Sequence, residues 1–236
     1  MEPFHLRRTI SRPLTADRGF TLVELLVVLA IMLTITSIAL TSQSSFNKTL
    51  ILANTAYDIG LTLRSAESFG LGSRATTLGA ANAGYGIHIS AGSNNSFILF
   101  ADTSPAGSPG SLNCSSKSSV GAPNCGPGDG VYTASDVSTP SIPSYTLNNG
   151  VIISDFCAYN GSWVCAHSYG STLSALDIVF ARPNPTPTIT ANGQTYTNAC
   201  IIVSSLQAGT IPHYVSVSPS GEISSGQLSA SITSCP

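Results

Sequence analysis

The residues of this chain with the most evident chemistry are its six cysteines: Cys114, Cys125, Cys157, Cys165, Cys200 and Cys235, all beyond position 100. An even number confined to one part of a chain is the pattern of a disulfide framework formed in an oxidising compartment. Sequence alone leaves many pairings open, and the expected one joins neighbours: Cys114–Cys125, Cys157–Cys165 and Cys200–Cys235. Zinc is the competing chemistry, but no C-x-x-C and no Cys/His pair at ligand spacing occurs. His5, His88, His167 and His213 are scattered, and a lone strand histidine is ordinarily a half-buried polar group. No G-x-S-x-G elbow, H-E-x-x-H helix or phosphate loop is present. Catalytic residues, a metal and a cofactor are therefore not expected, and the chain does not read as an enzyme. Asp129, in "CGPGDGVY" and flanked by Asp102 and Asp136, raises the question of calcium. That ion needs six to eight oxygens, and the spacing is not that of an EF-hand. A turn role for Asp129 is the expectation.

One more carboxylate stands out by its setting. "RGFTLVELLVVLAIM", residues 18–32, places Glu24 near the start of an apolar run. Such a group costs roughly 2.5–3.5 kcal/mol at the centre of a bilayer. From Phe20 to Leu40 it is the only charge, and as a helix this stretch is about 32 Å long, enough to span a membrane. Arg7, Arg8, Arg12 and Arg18 precede it, which predicts a cytoplasmic amino terminus and an exported remainder. The run is too long for a secretory signal, and no small-residue cleavage motif follows it. Charged residues make up only 8% of the 236-residue chain, against roughly 25% in soluble domains. Beyond Leu40, five basic residues face eight acidic ones, a balance of −3. That argues against nucleic acid as a partner.

These residues carry a family resemblance. "RGFTLVELLVVLAI" resembles the processing site of type IV prepilins and type II secretion pseudopilins. The resemblance implies a leader, residues 1–19, that prepilin peptidase removes between Gly19 and Phe20. It also implies N-methylation of Phe20 and an assembly role for Glu24, the fifth residue of the mature chain. A new α-amine at Phe20, with an unperturbed pKa of about 7.7–8.0, would be largely cationic. Glu24 of one subunit could then meet the amine of its neighbour, each charge lowering the other's desolvation cost. The implied partners are other pilins or pseudopilins through the amino-terminal helix, the peptidase, and the inner membrane, crossed once with the head in the periplasm.

The elements that must position these groups follow from periodicity. Residues 20–40 read as a transmembrane segment and 41–72 as its amphipathic continuation, a helix of about 50 residues in all. Leu52, Ala56, Ile59, Leu63 and Ala66 recur at spacings of four and three, and Gly70 and Gly72 are expected terminators. Ser42, Ser44 and Ser45 could loosen the helix locally. Residues 73–236 read as a β-rich head. "YGIHIS" and "SFILFAD" predict a hairpin, and residues 102–130 a long Ser/Gly/Pro loop. "SYTLNNGVIISDF" predicts two strands about Asn149-Gly150, and "CAYNGSWVC" a closed excursion carrying Trp163. "LDIVFARPNPTPTI" reads as a strand ended by Pro183, Pro185 and Pro187, Asn192-Gly193 as a hairpin turn, and "HYVSVSPSGEIS" as a strand, a turn and a return. A long helix followed by an antiparallel sheet is the α+β pilin-like fold. "LRSAESFGLGSRAT", "DIVFARPNP" and "CIIVSS" followed by "YVSVSPSGEIS" resemble the H-type minor pseudopilins and the FimT-like minor pilins. Two functions follow: a minor pseudopilin of a short filament driving type II secretion, or a minor type IV pilin with an adhesive or uptake role.

Overall fold

The computed structural model describes residues 19–72, 83–102, 128–133, 136–138, 144–167, 173–206, 209–229 and 235. The expected leader up to residue 18 and the expected Cys114–Cys125 pair lie outside the described residues. By its contacts the chain divides into two units, Met1–Ser44 and Ser45–Pro236. One helix, α1, runs Leu22–Leu71, unbroken through the serines at 42, 44 and 45.

Within the second unit, α1 presents Leu52, Ala56, Ile59, Leu63 and Ala66, each at most 1% exposed, to the core. All five lie on one face because the helix turns every 3.6 residues. The helix carries on past Gly70, which has a packing role. A Cβ there would lie 2.1 Å from the carbonyl oxygen of Phe180, so only glycine lets the helix end sit against that strand.

Two antiparallel sheets complete the core. The first is built from β1 (Gly84–Ser90), β2 (Ser96–Asp102), β3 (Val137–Ser138), β4 (Tyr145–Thr146), β7 (Ala175–Ala181), β8 (Asn184–Ala191) and β9 (Gln194–Tyr196). Its order is β3-β2-β1-β7-β8-β9, with β4 also on β2. The second comprises β5 (Val151–Tyr159), β6 (Trp163–Cys165), β10 (Asn198–Ser205), β11 (His213–Val217) and β12 (Ile223–Gln227), ordered β12-β11-β10-β5-β6. Tyr85, Ile87 and Ile89 of β1, Leu176, Ile178 and Phe180 of β7, and Ile201 and Val203 of β10 join the helix stripe in one core. Period-two alternation puts these side chains on one face. The result is the α+β pilin-like architecture, a long helix followed by antiparallel sheets.

Three hairpins form where turn chemistry predicts them: β1–β2, β8–β9 and β11–β12. Asn192 and Gly193 both have positive φ, 49° and 72°, as the tight hairpin turn requires. Two expectations differ. The strands flanking Asn149-Gly150 do not pair with each other: β4 lies on β2, whereas β5 lies on β10 and β6. The turn is a crossing point between sheets. Pro183 follows the end of β7 as expected, but Pro185 and Pro187 end nothing and lie inside β8. There β9 pairs only with Ile189–Ala191, which leaves one side of the proline-bearing part without a strand among the described residues. Proline, lacking an N–H, is tolerated at such an edge.

Candidate functional site

The amino-terminal segment is organised by Thr21. Its side-chain oxygen accepts a hydrogen bond from the backbone N–H of Glu24 at 3.2 Å, and its carbonyl oxygen accepts the first intrahelical bond, from Leu25 N–H, at 3.2 Å. Thr21 is therefore the N-cap and Glu24 the third helical residue, the positions of a capping box. A carboxylate in the first turn also faces the positive end of the helix dipole. The Thr-x-x-Glu spacing is visible in the sequence and gives Glu24 a local role at the start of its own helix. Gly19 and Phe20 precede the helix, and the Phe20 side chain is 83% exposed.

Leu22–Leu40 is long and apolar enough to cross a membrane, and none of it is buried within the chain. Exposed leucine, isoleucine and valine on every side of a helix call for an apolar surrounding. Its hydroxyls are turned inward: Thr34 donates to the carbonyl of Ile31 at 2.8 Å and Thr36 to that of Met32. Such bonds satisfy the polar groups without water.

The four described cysteines cluster at the second sheet. Cys157 and Cys165 face each other across β5 and β6 and are bonded. Cys200, bonded to Cys235, is the register partner of Cys157 on β10. The two disulfides thus adjoin, packed with Ile202 and Leu228, with Trp163 and Tyr214 against them. Asp155 lies near Cys157 and Cys165, but both sulfurs are committed to the disulfide. One oxygen of Asp155 accepts the backbone N–H groups of Phe156, Ala166 and His167.

A polar cluster that the sequence does not disclose lies on the outer face of the first sheet. Residues 128–133 lie against it. Asp102, fully buried, accepts N–H bonds from Gly130 at 2.7 Å and from Asp129 at 3.3 Å. A Cβ on Gly128, whose φ is +92°, would overlap the Asp102 carboxyl. Thr190 donates its hydroxyl to the Gly130 carbonyl. His88 meets Asp177 at 2.7 Å, its register partner across β1 and β7, and its ring packs on Tyr132. Burial pushes the Asp102 carboxyl up to about 8; the Gly130 N–H bond opposes this, and the Asp136 and Asp129 carboxylates add to it. Burial also raises Asp129. Asp129 takes the turn role expected of it, accepting the N–H of Val131 two residues on. Elsewhere, Nδ1 of His213 is buried with no hydrogen-bond partner among the described residues, and desolvation lowers the pKa of that ring.

The prokaryotic N-terminal methylation motif family matches residues 14–40. No curated protein and no solved structure matches the chain significantly. The matched motif indicates a protein of the type IV pilin and pseudopilin class. Together with the single apolar helix at the amino terminus, it suggests membrane anchoring. In that class the motif implies processing by a prepilin peptidase and assembly with other pilin subunits.

Proposed function

We propose that the chain is a minor pseudopilin of a type II secretion system, a structural subunit and not an enzyme. It joins a short periplasmic filament through its amino-terminal helix. The observation that carries this reading is the methylation motif over residues 14–40, set on a helix whose Leu22–Leu40 part is wholly exposed. The latter part of the chain resembles H-type minor pseudopilins and FimT-like minor pilins alike, and the deletion experiment below separates the two roles. On this reading cleavage after Gly19 frees the Phe20 amine, which is methylated. The inner membrane holds Leu22–Leu40, with the leader arginines on the cytoplasmic side and the head in the periplasm.

Glu24 then has two tasks: to accept the amine of an adjacent subunit, and to set a negative charge at the positive end of its own helix. Intact-mass analysis of the membrane-extracted protein should give a chain that begins at methylated Phe20; a chain retaining its leader in peptidase-positive cells rejects processing. Glu24→Ala and Glu24→Gln should both be cleaved and inserted yet crosslink poorly to the major subunit. Removing one partner of a buried ion pair costs about 3–5 kcal/mol; Gln keeps the shape and loses only the charge. Normal incorporation of both variants rejects the charge pair. Deletion of the chain should leave exported enzymes in the periplasm, and normal secretion with loss of surface pili would assign it to a pilus instead.

A further inference from the structure

Among the described residues, the second sheet ends on an unblunted edge. β12 is the outermost strand, paired only with β11. The hydrogen bonds Ser218 N–H to Glu222 C=O and Leu228 N–H to Pro212 C=O frame that pairing. Backbone groups alternate in direction along an antiparallel strand. The even-numbered residues of β12 therefore face β11, and the N–H and C=O groups of Ile223, Ser225 and Gln227 face outward. Among the described residues only one of these is taken: the Ile223 carbonyl accepts Nη2 of Arg64 at 3.3 Å.

Sheet edges are ordinarily made short or armed with proline, charge or a bulge. The other described edge strands follow that rule: β3 and β4 have two residues each, and β6 and β9 have three. β12 has five, Ile-Ser-Ser-Gly-Gln, with no proline, no charge and no register shift against β11.

Beside this edge lies an apolar shelf. Tyr57 and Leu61 of α1 are 61% and 49% exposed. With Gly60 and Arg64 they border a shallow hollow of about 40 Å³ against Ile223, Ser224 and Ser225. Phe46 and Leu50 extend the same stripe, at 64% and 44% exposure, since residues 46, 50, 57, 61 and 64 fall on one side of a helix. Ile223 points toward α1, its side chain 3.9 Å from where a Gly60 Cβ would be. Side chains alternate along a strand, and those on one face line up across a sheet. One strand further out, the residues facing the helix would therefore rest on Tyr57 and Leu61. Arg64 has no carboxylate partner among the described residues. A strand N–H that took over the Ile223 carbonyl would release the guanidinium for an acidic group.

We propose that the β12 edge, with the Tyr57–Leu61 shelf and Arg64, is a binding site for an extended polypeptide segment of another chain, added to the sheet as a sixth strand. The segment carries apolar side chains at alternate positions and a carboxylate opposite Arg64. Backbone pairing supplies affinity and the alternate side chains supply selectivity, as in other strand additions. The assignment rests on the second unit alone and holds whether or not the chain serves secretion.

The test uses the full-length protein in detergent and two synthetic peptides. One alternates valine and threonine about a central glutamate; the other has the same apolar content interrupted by prolines. Fluorescence anisotropy should show saturable binding of the first only. Amide exchange at Ser225 and Gln227 should slow at least tenfold when that peptide is bound. Ser225→Pro should abolish binding with the sheet intact by circular dichroism, because that N–H makes no bond to β11. If Ser225→Pro does not fold, Leu61→Lys should weaken binding at least tenfold. Arg64→Glu should turn the preference toward a peptide with central lysine. The proposal is overturned by equal binding of the proline-interrupted peptide or by no binding of the first. Slow exchange of the Ser225 and Gln227 amides in the free chain would overturn it too, since the edge would already be covered. Dimerisation through this edge, abolished by Ser225→Pro, would reject the acidic partner in favour of a second copy.

Discussion

Asp102 shows how far one residue's environment can move it from what its type implies. It sits on β2 with no exposed surface, and its carboxyl accepts the N–H groups that hold residues 129 and 130 against the sheet. Desolvation raises its pKa in the folded chain to about 8, from the ordinary 3.8 of an exposed aspartate. The folded chain thus keeps a proton that the unfolded chain gives up. Stability from this group is fully present below about pH 4, falls as pH rises, and is exhausted above about 8. One proton limits the slope to about 1.4 kcal/mol per pH unit. Urea unfolding of the head at several pH values should show that decline, and Asp102→Asn should flatten it. A wild-type stability that rises between pH 5 and 8 would contradict the buried, protonated carboxyl. The role was not legible from Asp102, Asp129 and Asp136 as a string, where they suggested a loop or a cation. Burial decides it, and burial depends on residues 128–133 folding back on the sheet. His88 is a parallel case, since its partner Asp177 is 89 positions away and only the β1–β7 register brings them face to face.

At the level of elements, the hairpins β1–β2, β8–β9 and β11–β12 were readable from their turn chemistry, and two disulfides reinforce the second sheet. Cys157–Cys165 closes a separation of eight residues and Cys200–Cys235 one of 35. Loop-closure entropy grows with the logarithm of that length, which gives about 2.5 and 3.8 kcal/mol respectively. Replacing the second pair by alanine should therefore lower stability more than replacing the first, as measured by urea unfolding of each double variant. A reversed order would show that strain or packing in the cluster outweighs the unfolded chain. The two losses should not add, because Cys157 and Cys200 are direct neighbours across β5 and β10. Other elements were less legible. Asn149-Gly150 is as good a turn signal as Asn192-Gly193, yet only the latter joins paired strands. Turn chemistry fixes a local reversal, while the choice of sheet follows from which core face each strand can cover.

For the whole molecule, the division at Ser44–Ser45 separates two solvents' worth of surface. Leu22–Leu40 buries nothing within the chain, whereas the hydrophobic core among the described residues lies in the second unit. A chain beginning at Ser45 should therefore be soluble without detergent and keep its sheet content. It should also unfold in one cooperative transition, followed by circular dichroism and calorimetry. Aggregation of that fragment, or a gradual melt, would show that the head depends on the preceding helix.

The amino-acid sequence by itself determined the membrane-length helix, the N-terminal methylation motif over residues 14–40, the buried stripe from Leu52 to Ala66 and most strands. These depend on residue type and on short, regular spacings that survive in any unfolded string. Only the tertiary structure decided which strands share a sheet, why Gly70 packs against Phe180, that Asp102 is buried, and that β12 presents an open edge beside Tyr57 and Leu61. Each of these rests on atoms brought together from distant parts of the chain, where desolvation and packing act and where local propensity has no say.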